Sequence, residues 1–168
     1  PLGRLEPLAA RVSRRVELAC HVLPSPKLPL QRIPNRDQLD ANALLVAVEA
    51  RATSDSRLLV GVAEEDIAVP LFTFVFGLAR QGGRACIVSL ARTDPSFYGL
   101  PPDPDLRDER AVSEVLHEMG HLQQFAHISA RLDPADRYVG DESVTEGWAF
   151  LFQYLLAEPE FLAVELKM

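Results

Sequence analysis

The sequence predicts an α+β fold, a small mixed twisted sheet with backing helices followed by a helical half, on three observations. Helical spacing of apolar residues recurs near the start. Three short runs rich in β-branched and aromatic residues cluster between residues 57 and 92. From residue 104 a long apolar stripe follows, interrupted only by Gly120. With 168 residues the chain has the size of a single domain, 1–168, divided into a sheet-containing half (1–103) and a helical half (104–168).

In chain order, Leu5, Leu8, Ala9 and Val12 suit one face of an amphipathic helix over 2–15. The run VELACHVLP (16–24) predicts a strand, with His21 structural in it, and the prolines at 24, 26, 29 and 34 predict an extended surface connection. Residues 37–52 favour a second helix, opened by acidic side chains that suit its dipole. RLLVGVA (57–63), LFTFVFGLA (71–79) and RACIVSLAR (84–92) then predict three strands, with Gly82-Gly83 marking a turn. Phe72, Phe74 and Phe76 read as alternating sheet residues. Asp103-Pro104 supplies an N-cap and a first-turn proline for a helix running to about Leu132. After the polar loop DPADRYVGD (133–141), ESVTEGWAFLFQYLLA (142–157) predicts a last helix, capped by Asp141 or Ser143 and stopped before Pro159.

Composition excludes several function classes. A net charge of −7 opposes a duplex-gripping basic surface, so nucleic acid is not expected as a partner. Cys20 and Cys86 have no metal-ligand spacing and build no disulfide framework. No apolar run approaches the ~20 residues of a membrane span and no leader pattern is seen, so a cytoplasmic protein is expected and no membrane association. The start at Pro1, without Met, raises the expectation of an upstream segment.

His117-Glu118-Met119-Gly120-His121 is an HExxH motif. On a helix, residues four apart are turned by roughly 400°, which sets both imidazoles on one face a single turn apart, able to share one zinc ion. Glu118 beside them suits a general base. The chemistry this spacing points to is metal-assisted hydrolysis, in which zinc acidifies water and the carboxylate carries the proton.

A catalytic zinc takes three protein ligands and keeps one open position. His127, Glu142, Glu146, Asp133 and Asp141 are the candidates for the third. LQQFAHISARL contains no helix breaker, and if the helix continues, His127 is turned about 240° from His121 and about 280° from His117. It then cannot reach the ion.

Thr73-Phe74-Val75-Phe76-Gly77, the GGR…IVSLAR of 82–92 and FYGLPPD of 97–103, in this order before HEMGH, resemble the archaemetzincins, small zinc peptidases of the metzincin clan. The resemblance covers roughly residues 20 to 121 and implies a zincin-like fold, a zinc metallopeptidase and a peptide or protein substrate. Pro1-Leu2-Gly3 resembles the tail of the family's first strand. The resemblance also suggests that RACIVSLAR is an edge strand receiving an extended peptide. Past His121 the pattern departs: Gln124 stands where the family has the glycine that ends the helix, Ile128 where cysteine follows the third histidine, and no methionine occurs before Met168. One catalytic zinc and no second structural zinc are therefore expected.

DESVTEGWAFLFQY instead resembles the glutamate-zincin (gluzincin) pattern, in which a second helix packs on the HExxH helix and supplies a glutamate. This favours His117, His121 and Glu146 as ligands, with His127 and Glu142 as alternatives and Glu118 as the catalytic residue. The rival reading is a catalytically inactive zinc-binding module with a metzincin-like three-histidine site, His117, His121 and His127.

Overall fold

A computed structural model describes residues 5–24, 31–53, 58–129, 131–133 and 142–155. It is α+β. Helix α1 (Glu6–Val16) buries Leu8, Val12 and Val16, one residue per turn, and ends where Glu17 turns left-handed at φ 48°. Strand β1 (Leu39–Asp40) leads directly into α2 (Ala41–Glu49). The Asp40 carboxylate accepts the Asn42 and Ala43 amides at 2.9 and 3.3 Å, so the second helix begins later than its acidic prelude suggested. Residues 39 and 40 are drawn instead into a parallel pairing with β3 (Ile67–Ala68).

The main sheet has the order β2 (Leu59–Ala63), β5 (Ala85–Ser89), β4 (Gly77–Ala79), with β2 parallel and β4 antiparallel to β5. Strand β5 is buried at every position. It is the central strand, which corrects the reading of RACIVSLAR as an edge. Ala85 and Ile87 pack toward Leu44 and Leu45 of α2, whereas Val88 packs toward Leu8, Val12 and Val115 on the other face. A strand covered on both faces needs apolar residues throughout, and its sequence supplies them.

Two further expectations are revised. Residues 18–24 form no strand, and Val16 closes α1. An apolar cavity of about 740 Å3, lined by Val12, Val22, Val60 and Val62, separates this segment from the outer edge of β2. A strand requires a hydrogen-bonding neighbour, and the cavity keeps the two apart. His21 is exposed there.

Of LFTFVFGLA only residues 77–79 form the strand β4. Arg36 donates to the Phe72 and Thr73 carbonyls and Gln38 Nε2 donates to Thr73 O, so side chains hold this backbone as a loop. Phe72 and Phe76 are exposed, and Phe74 lies under the Arg92 guanidinium, 3.9 Å from the ring centroid. Arg92 also forms a two-pronged bond to Asp66, both distances 2.8 Å, tying the loop before β4 to the sheet.

Helix α3 (Pro104–His127) starts as expected, with the Asp103 side chain accepting the Leu106 amide at 3.0 Å. It passes Gln124 unbroken and ends where Ile128 turns extended, short of Leu132. Helix α4 (Glu142–Leu155) packs along it. No helix among the described residues is long and apolar enough to cross a membrane. The proline-rich stretch 25–30, residues 134–141 with Asp141, and residues 156 and 157 of the expected last helix lie outside the described residues.

Candidate metal centre

Helix α3 places His117 and His121 on the face turned toward the core, where 8% and 9% of each residue is exposed. Their Nε2 atoms lie 3.1 Å apart. The third group comes from α4, whose Glu146 sets Oε2 3.1 Å from His117 Nε2 and Oε1 3.5 Å from His121 Nε2. Two imidazole nitrogens and a carboxylate face one point, where a cation can take a lone pair from all three groups at once. An ion held tetrahedrally at ~2.0–2.1 Å has donor-to-donor edges of roughly 3.3 Å; the 3.1 Å separations of His117 Nε2 from His121 Nε2 and from Glu146 Oε2 lie close to that length, and the other carboxylate oxygen, Oε1, lies 3.5 Å from His121 Nε2. The donor set, two nitrogens and one carboxylate oxygen, fits zinc.

Close helix packing brings Glu146 within reach. A Cβ at Gly120 would lie 2.8 Å from Ala149 Cα and 3.1 Å from Phe152 Cβ, so the absent side chain lets α4 approach α3 at this level. Ala149 is fully buried there. Phe150, one turn past Glu146, rests its ring 4.7 Å from that of His117, and Phe125 stacks on His121 at 6.2 Å. These rings lie against the two imidazoles.

His127 is not brought to this cluster. It is exposed, and its Nδ1 donates to the Gln123 carbonyl at 2.8 Å. Asp133 is exposed and stands outside the cluster, while Asp141 and the Glu142 side chain fall outside the described residues.

Glu118 is 4% exposed, and its Oε2 has no hydrogen-bond partner among the described residues. Burial, then the charges of Glu114 and Glu146, push its carboxyl well above the usual range. Burial lowers His121, and Glu146 partly opposes the shift. Neither the closeness of β4 to Glu118 nor the part played by Glu114 was foreseen. The signal for Glu114 was its place one turn before Glu118 on the same helical face.

Glu114 is pushed up to about 7 by burial and by Glu146. A carboxyl raised in the folded state binds its proton there after the unfolded chain has lost it, so stability falls as pH rises from about 4.3 toward 7. In zinc-free protein Glu114 is expected to contribute ~2–3 kcal/mol of the fall between pH 5 and 8, and Glu118, raised by the same burial, adds to it, so Glu114→Gln should shrink the pH dependence by about that amount without abolishing it. Urea denaturation at pH 5 and pH 8 measures this, and an unchanged pH dependence in the variant would refute the assignment.

Residues 38–133 match the model for peptidase family M54. An archaemetzincin of Methanopyrus kandleri is 36% identical over 137 residues, covering 77% of this chain and 74% of its own. One from Pyrococcus horikoshii is 47% identical over 73 residues, 44% of this chain and 39% of that protein. One from Methanocaldococcus jannaschii is 36% identical over 108 residues, 64% of this chain and 59% of its own length. The chain thus spans about two fifths to three fifths of these last two relatives. Among solved structures, a zinc-dependent peptidase from Methanocorpusculum labreanum superposes with a TM-score of 0.63 at 28% identity, covering 73% of this chain and 75% of that one. With the family model spanning more than half of its residues, the chain belongs to peptidase family M54 and is archaemetzincin-like.

Proposed function

We propose that this chain is a zinc-dependent metallopeptidase of the HExxH type that hydrolyses peptide bonds, with His117, His121 and Glu146 as metal ligands and Glu118 as general base and then acid. The observation that carries the reading is the convergence of two imidazole nitrogens from α3 and one carboxylate from α4, with separations of 3.1–3.5 Å, beside a buried carboxyl group. A glutamate from a second helix is the gluzincin arrangement, joined here to an archaemetzincin-like sheet half. One ion is enough for it.

Bound zinc supplies Lewis acidity, lowering the pKa of water and polarising a carbonyl. The chain supplies the rest. Glu118 accepts the proton of the attacking water at its carboxylate and returns it to the departing amine. His117 and His121 stand together on the buried face of α3, within reach of Glu146, to hold the ion. Residues 76, 78 and 80 face β5 in the antiparallel register, which leaves the backbone groups of Gly77 and Ala79 on the outer edge of β4. A peptide substrate laid along that edge pairs with them as an added strand.

We take residues 1–168 as one catalytic domain, the sheet half and the helical half forming two walls of the cleft. Its two cysteines are unpaired, which suits a reducing compartment, and we place it in the cytoplasm.

A mixed peptide library tests the reading. Cleavage is expected, is abolished by a chelator and returns with zinc; cleavage indifferent to chelation overturns it. Zinc binding without any turnover would favour the inactive module.

A further inference from the structure

The outer strand of the sheet meets the HExxH helix at a glycine, Gly77. A Cβ built on Gly77 would lie 2.6 Å from Glu118 Oε1, 2.7 Å from its Cγ and 2.8 Å from its Cδ. All three separations are shorter than real side chains tolerate, and the obstacle on each side is hard to move. Glu118 is 4% exposed and surrounded, and Gly77 is held by β5 through the bonds of its neighbours, including Ser89 N–H to Phe76 O at 2.8 Å. The carboxylate therefore occupies the volume that a side chain at position 77 would fill. Leu78 and Ala79, the next residues of β4, carry side chains; the gap is local to the one position facing the base.

We infer that Gly77 is a positioning residue for Glu118: the missing side chain on β4 is the space that holds the carboxylate in its working position beside the metal ligands. The inference rests on the role proposed above for Glu118. It adds a function for β4 distinct from pairing with substrate, because it acts through the Cα side of the strand and not through its outer backbone groups.

A double-variant cycle tests it with two independent readouts. Gly77→Ala is expected to retain zinc and to lower kcat at least tenfold with KM within about twofold, since the substrate edge is intact and only the base is displaced. The melting midpoint should fall by roughly 3–10 °C in the otherwise unaltered chain and scarcely at all in a Glu118→Ala background, where the clash is gone. Turnover of Gly77→Ala within threefold of the parent, or a melting penalty that persists unchanged with Glu118→Ala, overturns the inference. If Gly77→Ala does not fold, recovery of zinc binding in Gly77→Ala/Glu118→Ala, which lacks all three clashing atoms, supports it and failure to recover overturns it. Parental turnover in Glu118→Gln, by contrast, defeats the proposed role of Glu118; the melting cycle still reads the steric relation by itself.

Discussion

Glu146→Ala is expected to strip zinc from the chain, while His127→Ala leaves it bound. The first change removes the one oxygen donor that the cluster has among the described residues; the two imidazoles that remain, 3.1 Å apart, leave a tetrahedral ion with two positions for water. Affinity should fall by more than the ~10–100-fold typical of losing a hydrogen-bond partner behind a ligand. His127 is exposed, on another face of α3, with its ring nitrogen committed to Gln123 O. Glu146→Gln sharpens the comparison, because it keeps the size and the helical packing but replaces an anionic donor by a weak neutral one. Zinc content after dialysis against a competing chelator is the measurement. Loss of metal from His127→Ala alone would restore the three-histidine arrangement and reject Glu146.

Glu118→Gln is expected to keep zinc and to lose turnover by roughly 10²–10⁴-fold, the range that a positioned acid–base group contributes. Glu118 is not among the three converging donors, so metal content should match the parent. The buried site also makes the amide tolerable. Burial already disfavours the charged carboxyl, and its Oε2 has no partner to lose among the described residues. The variant is therefore expected to be at least as stable as the parent in zinc-free form, and its loss of rate cannot be assigned to unfolding. Parallel zinc content, melting midpoint and kcat decide it. Retained turnover would remove Glu118 from the chemistry.

Much of this centre was written in short stretches of sequence. The four-residue spacing of His117 and His121 fixes their relation on any helix, and Asp103-Pro104 with the apolar stripe requires one there. The unbroken run through Gln124 turns His127 away, as the lack of a breaker implied. Such relations are settled by backbone geometry within a turn or two and survive changes elsewhere.

Other features depend on where distant segments meet. RACIVSLAR looks the same at the edge or the centre of a sheet; its place between β2 and β4 comes from burial on both faces by α1, α2 and α3. The run at 16–24 has the composition of a strand, yet Val16 closes α1 and residues 18–24 pair with no strand among the described residues, a cavity lying between them and β2. Glu146 stands 29 residues from His117, and Gly77 precedes Glu118 by a whole strand and the start of a helix. One-dimensional pattern identifies the two histidines and proposes the glutamate. Packing of Gly120 against Ala149, and of β4 against α3, sets whether these groups come within a metal radius or a carboxylate's width of each other, since those distances are fixed by side-chain volume across an interface and not by spacing along the chain.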